Sequence, residues 1–319
     1  MKKILFLLYV APFILSILSC RLSSGSDRNY DAYDPNKTYK LHLNPAPGSS
    51  YYYDISNESS VKIELEDKKV NNETKTNSSI HYKVAKDSTG NFLLVMQYDK
   101  IQMYTKTGDN ETDAEAGDGT GVINPLDKML SILKQSHITA TVSPSGEILN
   151  MNGYKELGDQ FLANVAISDE DQRSMLQSQW ERTIGNGFVK QNLEQLFKIF
   201  PDSSVHLRDS WKLNNNSGSD FGLNAKSIFT LKAINSDVAV IGVEGEITSD
   251  NSTASAMGFS GATVSLKGKQ DGEYEIEAKT GMLMSCNVTA KVEGTVQVMG
   301  QEIPVTIKTS VKISGRKEN

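Results

Sequence analysis

The fold is decided by residues 282–298, MLMSCNVTAKVEGTVQV, near the carboxyl end of the chain. Apolar or small side chains occupy every second position of this stretch, and polar side chains fill most of the positions between them. Alternation with a period of two is typical of a strand with one buried and one solvated face, and it excludes an amphipathic helix. The stretch therefore predicts a long strand, with Cys286 as a small apolar side chain on its buried face.

The same alternation flanks this strand on both sides. Residues 274–278 alternate before a Lys-Thr-Gly turn, and residues 303–313 alternate after a Met-Gly-Gln turn, which predicts an antiparallel meander. Shorter alternating stretches recur upstream at 39–43, 61–65, 80–84, 92–104, 138–142, 148–151, 228–234, 238–247 and 264–266. We therefore expect about a dozen strands in one curved sheet, with bulges at the changes of phase near Asp99 and Ile241.

Helical periodicity interrupts the strands in the middle of the chain. Pro125 opens a helix that places Met129, Leu130 and Leu133 on one side. Further helical patterns follow in a central block at about 154–200 and end before a proline. The sequence thus predicts an α+β fold, in which amphipathic helices pack on one face of a large, half-barrel-like antiparallel sheet.

Three aromatic residues of this block are candidates for ligand binding. Phe161, Trp180 and Phe197 lie on the apolar sides of the predicted helices. They could line a cavity for an apolar ligand between the helices and the sheet. The alternative is that they simply fill the core, as most aromatic stripes do, and we favour that interpretation.

Patterns for catalysis, metal binding or cofactor binding are missing from the sequence. The histidines have no paired zinc spacing, and their neighbours direct each of them to solvent: His42, His81, His137 and His206. Residues 109–119 superficially resemble a calcium loop, but Ala114 stands where that loop requires glycine. Nucleophile, phosphate-loop and dinucleotide motifs are absent as well. We therefore expect a protein that is not an enzyme and that has no catalytic residue, metal or cofactor.

The first 20 residues have the features of an export signal. Lys2 and Lys3 precede an apolar run of about 15 residues, which is shorter than the roughly 20 residues of a transmembrane helix. The run ends in Ile-Leu-Ser-Cys, which resembles the lipobox of bacterial lipoproteins. The resemblance implies cleavage between Ser19 and Cys20 and acyl chains on the Cys20 thiol. The alternatives are an uncleaved anchor or an ordinary secretory signal, which Ile17 disfavours because that cleavage site requires a small residue there.

The rest of the chain is acidic. The formal net charge is −6, and it becomes −8 once Lys2 and Lys3 are removed with the leader. Such a chain has no basic surface for nucleic acid or for an anionic bilayer, so attachment to the bilayer would depend on the acyl chains of Cys20. We predict a signal peptide at 1–19, a lipidated cysteine with a flexible tether at 20–36, and one strand-rich domain at 37–315.

The whole processed chain resembles a family of uncharacterised envelope lipoproteins of the Bacteroidota type, which is defined only as a domain of unknown function. The resemblance is carried by the lipobox, by Asp209-Ser210-Trp211-Lys212-Leu213 and by the hairpin at 277–283. The plan of strands with covering helices is also similar to the half-barrel of periplasmic lipoprotein carriers. These resemblances imply a cell-envelope lipoprotein that binds an apolar ligand or an unknown protein partner.

The residues after the cysteine bear on location. Arg21 stands where an aspartate would resemble an inner-membrane retention signal, and residues 22–26 lack the acidic run of a surface-export signal. We therefore expect the periplasmic side of the outer membrane. The alternative is a structural or adhesion module that is exposed on the cell surface.

Overall fold

The computed structural model describes residues 28–65, 68–86, 89–117, 125–164, 186–216, 223–249, 263–298 and 300–318, together with residues 170, 173, 174, 177 and 180. The strands in these ranges are β1 Thr38–Tyr39, β2 Ser50–Leu65, β3 Lys68–Lys86, β4 Phe92–Thr107, β5 Asn110–Glu115, β6 Ile138–Val142, β7 Ile148–Asn152, β8 Val205–His206, β9 Ser210–Asn216, β10 Leu223–Ile234, β11 Val238–Ser249, β12 Thr263–Glu277, β13 Leu283–Val298 and β14 Gln301–Lys317. The helices are α1 Pro125–Lys134, α2 Tyr154–Asn164 and α3 Asn186–Phe197.

A single antiparallel sheet of twelve strands dominates the described residues. Its order is β7-β6-β4-β3-β2-β14-β13-β12-β11-β10-β9, and β5 pairs with the part of β4 that β6 leaves free. The sheet is not closed, since β7 and β9 are its two edge strands and do not pair with each other. The expected number of strands and the meander of β12, β13 and β14 are therefore confirmed.

The sheet contains the bulges that the changes of phase predict. Between β3 and β4, Ser79 pairs with Lys100 and Ile80 pairs with Tyr98, so Asp99 is the extra residue. A second shift lies opposite Ile241, although the extra residue there is on β10 and not on β11. Bulges increase the local twist and bend a strand, which helps a wide sheet to curve.

The helices contact strands at or near one edge of the sheet, the edge formed by β7. Helix α1 contacts β4, β5 and α2, and α3 contacts β7. Trp180 is also helical, while most of the predicted third helix lies outside the described residues. The expectation of helices spread over one face of the sheet is not supported. The periodicity of a helix shows which of its sides is apolar, but not which strands it contacts.

Two chain segments cap the end of the sheet where β2 begins and β14 ends, which we call the capped end; the opposite end is the distal end. Strands β1 and β8 pair with each other there. The backbone N–H of Leu43 donates to the carbonyl of Pro144 in the β6–β7 turn, at 2.8 Å. The N–H of Asn44 donates to Thr280 in the β12–β13 turn, also at 2.8 Å. The segment after β1 thereby joins the two halves of the sheet.

The first described residues also lie against the capped end. Arg28 forms an ion pair with Glu275 at 3.2 Å, and the N–H of Asp31 donates to the carbonyl of Ile234 at 2.8 Å. The hydrogen bond from Lys37 to Asp31, at 2.6 Å, lowers the pKa of that carboxyl. The part of the predicted tether from residue 28 onward therefore contacts the sheet. None of the helices in the described ranges is both long and apolar enough to cross a bilayer.

Candidate ligand-binding face

One face of the sheet, which we call the inner face, carries two clusters of buried apolar side chains. The capped-end cluster combines helix residues such as Phe161 and Phe197 with strand residues such as Tyr53 and Tyr274. The distal cluster consists of Val61, Ile63, Leu223, Ala225, Ile247, Val264, Leu266, Ala290, Val292, Val296, Val305 and Ile307. Every described member of the distal cluster lies on a strand, so among the described residues helix side chains fill only the capped half.

A row of polar and small residues crosses the inner face between the larger parts of the two clusters. Strand register places its members directly opposite one another on eight neighbouring strands: Thr105, Thr74, Ser59, Thr309, Ala290, Gln270, Gly245 and Ser227. We call this the polar row. It lies inside the protein, because Thr74, Thr309, Gln270 and Ser227 are all buried.

On strands β10, β11 and β12, the polar row makes its own hydrogen bond, because Gly245 leaves space for the Gln270 side chain. The Gln270 side chain crosses β11 and donates from Nε2 to Ser227 Oγ at 2.5 Å. A Cβ atom on Gly245 would lie 2.6 Å from that nitrogen and 2.9 Å from the Lys226 carbonyl oxygen, so a larger residue would displace the Gln270 side chain. Gly268 and Gly272 also lie on the inner face of β12, and Cβ atoms there would approach β13 to within 2.2 and 2.6 Å. These glycines therefore leave room for the backbone and side chains of β13 on the inner face.

The other half of the polar row contains polar atoms without partners. The hydroxyl oxygens of Ser59 and Thr74 are buried and make no hydrogen bond, and neither does Asn57 Oδ1 one pair nearer the capped end. Thr74 is only 5% exposed. A buried polar group without a partner costs about 1–3 kcal/mol of stability. At the polar row and one pair nearer the capped end, β2 and β3 therefore present two unused hydroxyl donors and one unused amide acceptor.

The polar interior of the described chain carries no formal charge. Its buried polar residues are Thr74, Thr76, Ser79, Ser131, Ser136, Ser227, Gln270 and Thr309. A charge in such surroundings requires an opposite charge nearby, because leaving water is otherwise too costly. The chemistry of the face is therefore that of neutral hydrogen bonding between apolar regions.

The structure brings two of the three predicted ligand residues together. The rings of Phe161 and Trp180 are stacked, with centroids 5.2 Å apart, and Gly158 gives the indole its space. Phe197 instead packs edge-on against Tyr82 of β3, at 6.3 Å between centroids. All three predicted residues are at most 2% exposed and belong to the capped-end cluster. Their role in ligand binding stays a prediction.

Buried tyrosines and Cys286 complete the inner face near the capped end. Burial raises the pKa of Tyr53, Tyr82, Tyr98 and Tyr274 above the ordinary value of a phenol. Cys286 is a buried thiol that contacts Tyr274, which confirms its predicted place on the apolar face. These side chains are buried in the capped-end cluster, so they act as core side chains.

The predicted absence of a metal site can be compared with the geometry of the described residues. No group of three or more His, Cys, Asp or Glu side chains in these ranges is arranged to hold an ion. His81 lies 2.8 Å from Glu318, and His206 lies 3.0 Å from Asp209. Most of the calcium-like stretch forms strand β5, and its residues 118 and 119 lie outside the described ranges.

A small surface cleft lies apart from the inner face, where α1 and α2 meet the beginning of β6. Its volume is about 420 Å³, and its lining includes Ile132, Ser136, His137, Glu156 and Leu157. It contains none of the predicted ligand residues. The predicted cleavage residue Ser19 and lipidation site Cys20 lie outside the described residues, so both stay predictions.

The sequence patterns did not identify Asn57, Ser59 or Thr74 as ligand-binding residues. In the sequence, these residues interrupt the alternation of apolar side chains. In β2, for example, polar side chains occupy inner positions between apolar residues of the same phase. An interruption of this kind first suggests the end of a strand. Only the register with the neighbouring strands shows that these positions form a row.

Comparison with protein families gives one match. The model of a family of unknown function, DUF6263, matches residues 89–283, which is more than half of the chain. The chain belongs to this family. The matched region of this DUF6263 protein supplies both edges of the sheet, whereas the central strands β3, β2 and β14, and all of β13 but its first residue, lie outside the match. The two edges are thus joined through strands beyond the matched region.

Other comparisons give distant similarities only. No curated protein matches the chain. Among solved structures, lipovitellin, from work on its lipid–protein interactions, gives a TM-score of 0.47 at 10% identity. The match covers 85% of this chain and 25% of the lipovitellin chain. The chain thus spans a quarter of that protein's length. An outer-membrane channel from Pseudomonas putida F1 gives a TM-score of 0.23 at 9% identity, over 89% of this chain and 100% of the channel.

Proposed function

We propose that the protein is a non-enzymatic lipoprotein of the bacterial cell envelope that binds an apolar ligand on the inner face of its sheet. In this proposal acyl chains on Cys20 hold it to the outer membrane, on the periplasmic side. Two or three such chains provide stable anchoring without a transmembrane helix. A protein partner on the same face is the alternative occupant.

The distal cluster is the observation that supports ligand binding. Its described members are strand side chains that contact one another, while aromatic and helix side chains fill the capped half. A ligand with an apolar chain would replace some of these contacts and remove its own surface from water, at about 25 cal/mol per Å². Because the sheet is not closed, its edge strands β7 and β9 are not paired with each other, so a ligand could enter between them without breaking strand pairing.

The start of the folded region supports an orientation. Seven residues lie between Cys20 and Arg28, and the eight Cα–Cα steps from one to the other span at most roughly 30 Å. Arg28 lies at the capped end through its ion pair with Glu275. An anchor on Cys20 would therefore hold the capped end near the bilayer. The distal end would face the periplasm, since the 16 residues of β2 extend over roughly 50 Å.

Native mass spectrometry of a soluble form that begins at Arg21 tests the proposal. We expect a mass excess that corresponds to a bound lipid when the protein is purified from bacterial cells. Expression in a second, unrelated host separates a preferred ligand from a chance one. A bare mass from both hosts would contradict the carrier, and a stoichiometric protein adduct would favour partner binding.

A further inference from the structure

We propose that the polar row binds the neutral polar group of an acyl ester or acyl amide, whose chain lies along the distal cluster. This inference rests on the proposed function, because it names the class of ligand for the same face. It assigns the recognition of that ligand to Asn57, Ser59 and Thr74.

The three side chains are close enough to hold one small polar group. Ser59 and Thr74 are directly opposite on β2 and β3, where Cβ atoms are about 4.5–5.5 Å apart. Asn57 is two residues away on the same face of β2, about 7 Å along the strand. Their oxygen atoms are buried and without partners. Thr74 is more than nine-tenths buried, so bulk water does not reach its hydroxyl.

The types of these atoms select the polar group. Two hydroxyls can donate to a carbonyl oxygen, and the Asn57 oxygen can accept from a hydroxyl or an N–H. A monoacylglycerol carries both an ester carbonyl and hydroxyls, and an N-acyl amide carries a carbonyl and an N–H. An anionic phosphate or carboxylate fits poorly, because the buried polar residues of the described chain include no cation.

The distal cluster gives the direction of the acyl chain. From Ser59 the inner face of β2 continues through Val61 and Ile63 to Leu65, over roughly 20 Å. Toward the capped end the face is filled by Tyr53 and other aromatic side chains. A chain that starts at the polar row therefore extends toward the distal end.

Binding of two amphiphiles with the same chain tests this inference. The processed protein is isolated from cells, transferred to detergent and titrated with 1-monopalmitoylglycerol or with palmitate, and native mass spectrometry measures the bound fraction. The test variant is Ser59→Ala with Thr74→Val. The matched control is Ser310→Ala with Thr306→Val. It also removes one serine and one threonine hydroxyl, but from the outer face of β14.

We expect the wild type and the control to bind the monoacylglycerol at least about tenfold more tightly than palmitate, and the test variant to lose about tenfold in affinity for the monoacylglycerol. Near-UV circular dichroism establishes that each variant is folded. Equal affinity of wild type and test variant, or a wild type that prefers palmitate, would overturn the inference and leave the carrier intact. A wild type that binds neither amphiphile would contradict the carrier itself.

Discussion

Gln270 reaches across strand β11 to Ser227, with 2.5 Å between Gln270 Nε2 and Ser227 Oγ, in the space that Gly245 leaves. This bond satisfies one half of the polar row within the protein. The other half, at Ser59 and Thr74, has no such internal partner. The difference between the two halves leads to our assignment of the second half to a ligand.

The space above Gly245 is essential for that bond. Gly245→Ala places a methyl group 2.6 Å from Gln270 Nε2 and 2.9 Å from the Lys226 carbonyl, so we expect a loss of about 1–3 kcal/mol in the free energy of unfolding. Urea denaturation measures it. Gly117→Ala is the control, because its Cβ would have no neighbour within 4 Å, and it should change stability little. Equal stability of the two variants would show that Gln270 does not cross β11.

The unsatisfied hydroxyl of Thr74 predicts an unusual result. Thr74→Val keeps the shape of the side chain and removes a buried group without a partner, so the ligand-free protein should be equally stable or more stable. Ser227→Ala should instead cost about 1–3 kcal/mol, because Gln270 then loses its acceptor. Urea denaturation of delipidated protein compares the two. A clear loss of stability in Thr74→Val would mean that its hydroxyl has a partner.

The buried tyrosines predict a loss of stability in alkali. Burial keeps the pKa of Tyr82, Tyr98 and Tyr274 raised in the folded protein, whereas in the unfolded chain they titrate near about 10. Above that pH the unfolded state loses protons that the folded state retains. The free energy of unfolding therefore falls as pH rises, by up to about 1.4 kcal/mol per pH unit for each tyrosine, while below about pH 10 the contribution is complete.

Urea denaturation between about pH 9 and 11 measures this slope. Tyr98→Phe should make it shallower, and Tyr33→Phe, at an exposed position, should not change it. A stability that does not change over this range would contradict the burial of these rings.

The stacked pair of Phe161 and Trp180 predicts a structural role in the absence of ligand. Phe161 is fully buried, so Phe161→Ala should cost about 3–5 kcal/mol. Leu149→Ala, on a side chain that is 50% exposed, is the control and should cost far less. Urea denaturation of the delipidated protein measures the free energy of unfolding of both variants. A small effect of Phe161→Ala would favour a cavity lining over a filled core.

The lipid anchor predicts the behaviour of one substitution in cells. In the proposed function Cys20 carries the acyl chains, so Cys20→Ser should abolish metabolic labelling with palmitate and cause unprocessed precursor to accumulate. Cys286→Ala is the control, because that thiol is buried and should not affect labelling. Normal labelling of Cys20→Ser would contradict the anchor.

Much of the sheet could be predicted from the sequence. The strands from Tyr274 to Ile313 alternate almost throughout, with Gly294 and Thr309 as the exceptions, and the structure confirms them as consecutive partners. Strands β2, β3 and β12 are longer than alternation predicts. In each, polar residues or glycines occupy inner positions, as Ser59, Thr74 and Gln270 do, and alternation is then lost although the strand continues.

The candidate site could not be predicted in the same way. Thr74 and Ser227 are 153 residues apart in the chain, and both belong to the polar row only because strand pairing aligns them. Periodicity assigns a residue to a face, but it does not give the order of strands in a sheet. The aromatic residues Phe161 and Trp180 could be identified from the sequence because residues three and four positions apart lie on one side of a helix.

Photo-crosslinking in living cells tests the central claim most directly. p-Benzoylphenylalanine replaces Leu65, which packs against the distal cluster, and in a matched control it replaces the exposed Glu64 beside it. The account predicts a lipid-sized mass increase after irradiation at position 65 and none at position 64. The same spectrum at both positions, or no adduct at position 65, would contradict ligand binding on the inner face.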